Sequence, residues 1–146
     1  MFKHILISTD GSPISNKAAK AGIALARALG SKVTAYCAPE ELPLMYADGY
    51  AFDQKTIDAM DAHAREVAQK QVDSIGKLAK AVGVPFSSMV TNALTAYEGI
   101  INAAQKRKCD VIFMASHGRR GFSKLIMGSV TQKVLTHSRI PVVVYR

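Results

Sequence analysis

The chain predicts an α/β fold, a five-stranded parallel sheet with helices on both faces. Three observations carry that expectation. Short apolar runs alternate with longer stretches of helical periodicity along the whole chain, in the order βαβαβαβαβ. The first run, Ile5-Leu6-Ile7, is continuous rather than alternating, as in strands covered on both sides. Helix starts and stops between the runs carry capping residues, and crossovers of helical length make neighbouring strands parallel.

The first strand is expected over residues 3–9. The helix after it is marked by Ser12 as N-cap, Pro13 at the first helical position and Gly30 just past its end. Ala18, Gly22, Leu25, Ala26 and Leu29 give it a stripe of small and apolar residues that can lie close to a sheet. A second strand follows over 32–38. Residues 39–51 are irregular, with Pro43 and Gly49 among Leu42, Leu44, Met45, Tyr46 and Tyr50. They read as a loop packed on the sheet edge or, less simply, as a lid or partner surface.

From about Asp53 a long helix is expected to Ala81, ending at Gly83. Its apolar positions from Ile57, Met60, Ala64 and Val67 through Val72, Ile75, Ala79 and Val82 predict one buried face, with His63 turned to solvent. The third strand, 85–91, is more polar, as suits an edge. Thr95 and Glu98 have capping-box spacing, and the helix through Ile100, Ile101 and Ala104 ends in Lys106-Arg107-Lys108, cations at the negative end of its dipole. Val111 to Met114 form the fourth strand. Val130, Val134 and Leu135 mark the last helix, and Pro141 opens the fifth strand.

At 146 residues with 49% hydrophobic and 21% charged residues, the chain suits one domain with a substantial core. Its apolar stretches fall short of the roughly 18 residues that span a membrane, and Met1-Phe2-Lys3-His4 runs straight into a strand. A soluble, cytoplasmic protein is the expectation. The net charge of +8 is spread along the sequence without zinc-finger spacing or an RNA-recognition aromatic motif, so a solvated surface is preferred over nucleic-acid binding. Cys37 and Cys109 are expected at opposite ends of the sheet, beyond the ~7 Å reach of a disulfide, as buried thiols.

The chemistry concentrates between the fourth strand and the last helix. Gly118 and Gly128 bracket nine residues, Gly121 lies between them, and Arg119, Arg120 and Lys124 add charge. Ser129 is expected as N-cap of the last helix, with Gln132 at capping-box spacing. A helix start preceded by small residues can hold an anion through unpaired amides and the positive dipole end. A solvated crossover loop explains the same residues equally well. Neither G-x-x-x-x-G-K-[ST] nor G-x-G-x-x-G occurs, which excludes P-loop and standard dinucleotide binders.

Ala115-Ser116-His117-Gly118, nine residues, then Gly128-Ser129-Val130 resembles the universal stress protein family, whose ATP-binding members carry G-x2-G-x9-G-[ST] here. The opening Ile5 to Ser12 and the closing Pro141 to Tyr145 resemble the family's first and last strands. Ala115 stands where the motif has its first glycine; a negative φ there permits binding with slight crowding, a positive φ compromises the site. The resemblance implies a Rossmann-like sheet of order 3-2-1-4-5, akin to the adenine nucleotide alpha hydrolases, that brings Asp10 and the 115–128 loop into one crevice. It further implies ATP, with Mg²⁺ on the phosphates. Asp10 and the backbone near Cys37 would take adenosine, Ala115 and Gly118 the ribose and α-phosphate, and Gly128, Ser129, Val130 and Thr131 the outer phosphates. Arg119 would add charge. It also implies a homodimer paired through Pro141 to Tyr145. No enzymatic role is assigned: His117 is the loop's lone imidazole and reads as a loop residue. The alternative is a non-nucleotide interaction module of the same family.

Overall fold

The computed structural model describes residues 1–40, 52–119 and 127–146. Nine elements alternate: β1 (His4–Ser8), α1 (Pro13–Leu29), β2 (Lys32–Cys37), α2 (Gln54–Ala81), β3 (Phe86–Val90), α3 (Ala96–Lys106), β4 (Val111–Ala115), α4 (Ser129–His137) and β5 (Val142–Tyr145). The sheet order is β3-β2-β1-β4-β5, all parallel, as the family resemblance implied. The expected irregular stretch falls largely in 41–51, and Arg120, Gly121 and Lys124 in 120–126; these lie outside the described residues.

Side-chain alternation sorts the strands into two cores. Ile5, Ile7, Val33, Ala35, Val111 and Phe113 face α1 and α2, whose Ala18, Ala19, Ala26, Val72, Ile75 and Ala79 fill that side. Leu6, Tyr36, Ile112 and Met114 face α3 and α4, meeting Ile100, Ile101, Ala104 and Val134. β1 and β4 are buried throughout, whereas the edges β3 and β5 are half-buried at every position. Cys37 ends β2 and Cys109 precedes β4, and both are buried free thiols.

Helix boundaries follow their caps. Ser12 accepts from the Ser15 amide at 3.3 Å, Asp53 from the Thr56 amide at 2.7 Å and Thr95 from the Glu98 amide at 3.4 Å. The last helix differs from expectation. Its N-cap is Gly128, not Ser129, which is the first helical residue and exposed. The Gly128 amide donates to the Ser116 carbonyl at 2.8 Å, which seats the glycine on the end of β4 and moves the helix start one residue earlier. Gln132 sends its side-chain amide to the Met127 carbonyl at 2.9 Å instead of completing a capping box.

The long helix also departs from one buried face. Only Ala68, Val72, Ile75 and Ala79 of α2 are buried, while Ile57, Met60, Ala64 and Val67 are half-exposed. The cause is length: 28 helical residues extend about 42 Å, whereas the 5- and 6-residue strands beneath reach about 20 Å. The first half of α2 therefore overhangs the carboxyl ends of the strands, and His63 on it is exposed, as expected.

Candidate functional site at the strand carboxyl ends

The order places β1 and β4 side by side where the winding of the sheet reverses, so the loops leaving them bound one crevice. Asp10 joins the two loops. One carboxylate oxygen accepts the Ser12 amide at 3.0 Å and the other the Arg119 amide at 2.8 Å, across 109 residues of sequence. Burial would raise the Asp10 carboxyl, but the Ser12 hydroxyl and amide, the Arg119 amide and the Ser15 hydroxyl outweigh it and hold the group below its ordinary range. Asp10 is therefore a carboxylate at neutral pH. Gly118 lies so close that a Cβ there would strike the Asp10 carboxylate.

The candidate phosphate loop is closed across its base. Besides the Gly128–Ser116 bond, the buried Thr131 hydroxyl donates to the Ala115 carbonyl at 2.9 Å. Gly128 must be small because a Cβ would come within 3.0 Å of the His117 Cα. The first backbone bond of α4 is Gln132 N–H to the Gly128 carbonyl, so the amides of Ser129, Val130 and Thr131 precede the helical ladder, and that turn holds no acidic residue. The Thr131 hydroxyl is spent on β4, and the Ser129 and Val130 side chains are exposed, which leaves main-chain amides as what this turn offers an anion.

Ala115 is the last residue of β4, and its methyl group joins the core facing α1 and α2. Among the described non-glycine residues only Lys108 has positive φ, so the φ of Ala115 is negative, the conformation that an alanine adopts without strain. Positive φ in this region belongs to Gly11 at +76°, whose position abuts the Gln71 side chain. The reading of the sequence gave Gly11 no role, although the turn Asp10-Gly11-Ser12-Pro13 carries its signal.

Arg119 reaches back over β2, its guanidinium 3.1 Å from a Glu40 oxygen. Beneath it opens a cleft of about 750 Å³ between the end of β2 and the overhanging half of α2, lined by Cys37, Ala38, Met60, His63, Ala64 and Val67 among others. Burial pushes the Cys37 thiol up to about 11, partly offset by Arg119 and reinforced by Asp10, which favours the neutral thiol at physiological pH. The α2 half of this cleft was hidden in the sequence because those residues continue the helix's core periodicity. His117 Nδ1 lies 3.1 Å from the Ser116 hydroxyl, a local loop contact.

The structure thus brings Asp10, Gly118 and Arg119 into direct contact, sets Cys37 beside them, and joins Ala115 to Thr131 and Gly128 to the end of β4. The profile of the universal stress protein family matches residues 1–146. Universal stress protein MJ0531 of Methanocaldococcus jannaschii is 28% identical over 148 residues, covering 100% of this chain and 83% of its own length. The solved structure of MJ0577, from the same organism, superposes with a TM-score of 0.78 at 25% identity, covering 99% of this chain and 95% of that one. A universal stress protein in complex with cAMP shares the fold, with a TM-score of 0.71 at 17% identity over 99% and 97% of the two chains.

Proposed function

We propose a nucleotide-binding role from this premise: the chain belongs to the universal stress protein family. The proposed ligand is an adenine nucleotide, ATP with Mg²⁺, held at the carboxyl ends of β1 and β4, in a cytoplasmic protein of the stress response. One observation carries the reading. The closed base of the 116–128 loop presents the first turn of α4 beside the crevice, with three amides ahead of the helical ladder and no acid among them. An anion there is stabilised by the amides and the helix dipole together. The fold it shares with a protein in complex with cAMP supports the adenine part.

In this proposal Asp10 and the backbone at Cys37 hold adenosine. The amides of Ala115 and Gly118 serve the ribose and α-phosphate, and those of Gly128, Ser129, Val130 and Thr131 serve the outer phosphates. Arg119 exchanges Glu40 for phosphate charge. Among the described residues no three potential metal-ligating side chains gather, so a divalent ion accompanying ATP would be held chiefly by the phosphates. Binding rather than catalysis is the role proposed, because His117 is the loop's lone imidazole and its contact, with the hydroxyl of the adjoining Ser116, is local. The test is to denature protein purified without added nucleotide and identify what it releases. An adenine nucleotide near stoichiometry supports the reading, whereas a protein that neither carries one nor takes one up from excess opposes it.

A second reading concerns assembly. β5 is an edge strand, half-buried along Val142 to Tyr145, with one side unpaired in the single chain. We propose that it pairs with its copy in a homodimer, whether or not nucleotide is bound. Light scattering should give twice the chain mass at micromolar concentration; a monomer mass would refute this. Among the described residues no helix is long and apolar enough to cross a membrane.

A further inference from the structure

The fold gathers at one end of the molecule cations that the sequence scatters. In a sheet whose strands all run the same way, every helix ends where the next strand begins. Arg27, Lys80 and Lys106 lie in the last turns of α1, α2 and α3, while Lys3, Lys32, Arg107, Lys108 and Arg139 lie at or just before strand starts. All eight are exposed. They are eight of the 19 Lys and Arg residues, and among the described residues Asp110 is the one acid beside them at the strand starts; the remaining 11 cations and 10 acids of the sequence nearly cancel.

Two observations separate this face from an ordinary solvated surface. First, it is not internally neutralised. The ion pairs among the described residues are Arg65–Asp61, Lys70–Glu66 and Arg119–Glu40, all elsewhere. Asp110 turns its carboxylate to the amides of Lys3 and His4, at 2.7 and 3.1 Å. Second, complementing helix dipoles accounts for Arg27, Lys80 and the run Lys106 to Lys108 but not for Lys3, Lys32 or Arg139, which lie outside the helices. A backbone bond joins two of these segments, the Lys32 amide donating to the Lys3 carbonyl at 3.0 Å, and the Arg107 guanidinium donates to the Ser88 carbonyl of β3 at 3.3 Å.

We propose that this end face docks on the phosphate backbone of a nucleic-acid duplex, without sequence preference. Five strands about 4.8 Å apart span about 19 Å, and that length of duplex carries about eleven phosphates on its two strands, of which those turned to the protein can meet several of the eight cations at once. Such contacts need no aromatic or base-reading motif. A lipid surface fits less well, because among the described residues the large exposed apolar side chains at this end are Met1, Leu29 and Leu135, too few and too scattered to anchor in a bilayer.

The experiment is fluorescence anisotropy of a labelled random-sequence DNA duplex titrated with the full chain at several salt concentrations. Binding should weaken steeply with salt. Lys32→Gln/Lys106→Gln, by removing two phosphate contacts, should lower the magnitude of the log–log salt slope by about 1.8 and weaken low-salt binding tenfold or more. The control Lys17→Gln/Lys20→Gln, with the same charge change on exposed positions of α1, should match the parent. Thermal midpoints verify folding, and the two single variants replace the pair if it does not fold. No binding at low salt, equal loss in both pairs, or tighter salt-sensitive binding to phosphatidylserine vesicles than to duplex would each overturn the proposal.

Discussion

Placing an alanine at Gly118, once with Asp10 present and once with it replaced by alanine, isolates the contact that joins the β1 and β4 loops. In the parent, a Cβ at 118 collides with the Asp10 carboxylate, and the carboxylate can retreat only by releasing the Arg119 amide it accepts at 2.8 Å. Overpacking of this kind costs about 2 kcal/mol. Asp10→Ala alone forfeits the amides of Ser12 and Arg119 as donors to a charged acceptor, in part exposed, for a loss also of about 2 kcal/mol. With Asp10 gone, the methyl group at 118 meets no obstacle and the Arg119 bond is already absent. The double variant should therefore sit about 2 kcal/mol below the parent instead of about 4, a coupling of about 2 kcal/mol against the few tenths expected of independent sites. Urea unfolding at constant m-value reads each corner of the cycle, and in a chain of this size each kcal/mol moves the thermal midpoint by about 2–4 °C. Additive losses would refute the view that Gly118 is small on account of Asp10.

Three further outcomes follow from the geometry. Gly99→Ala should destabilise by about 1–3 kcal/mol, despite the gain in helix propensity, because its Cβ would strike the Tyr36 hydroxyl and lie 2.9 Å from the Ala93 Cβ; thermal unfolding measures it. His4 is held below its usual 6.5 by burial and then by Lys32, against Asp110 and the carbonyls of Lys108 and Arg107. The folded chain thus binds this proton less readily than the unfolded one, so the His4 contribution is complete above pH 6.5 and falls away as pH drops below it; His4→Gln should flatten the urea midpoint between pH 7.5 and 5.5. Burial pushes both thiols up to about 11, so at pH 8 a thiol reagent should modify Cys37 and Cys109 far faster in urea than in the native protein; rapid native labelling would contradict the burial seen here.

How much of this was legible in the sequence depends on the range of the interactions. The caps at Ser12, Asp53 and Thr95 are made within three residues, and the strand runs declare their burial locally, so the elements and their alternation could be read directly. The order of the strands came from the family resemblance. Contacts between distant segments could not be read. The Gly128 cap is fixed by a carbonyl twelve residues earlier, which local capping rules assign to Ser129 instead. The Asp10–Arg119 bond spans the two loops that the sheet order unites, and no spacing announces it. The overhang of α2 was invisible because periodicity says which face is apolar but not where the sheet beneath it ends. For the same reason the α2 side of the cleft beside Cys37 could not be read, and the cationic end face was dispersed into unremarkable single residues.

The central claim is that amides at the start of α4, beside the Asp10 carboxylate, take an adenine nucleotide. Isothermal titration of nucleotide-free protein with ATP and Mg²⁺, in parallel with a Gly128→Val variant that crowds the His117 backbone, tests it most directly. Saturable heat with one site per chain in the parent, lost or strongly weakened in the variant, is the predicted result. No heat from the parent at millimolar nucleotide, or equal binding by both proteins, would contradict it.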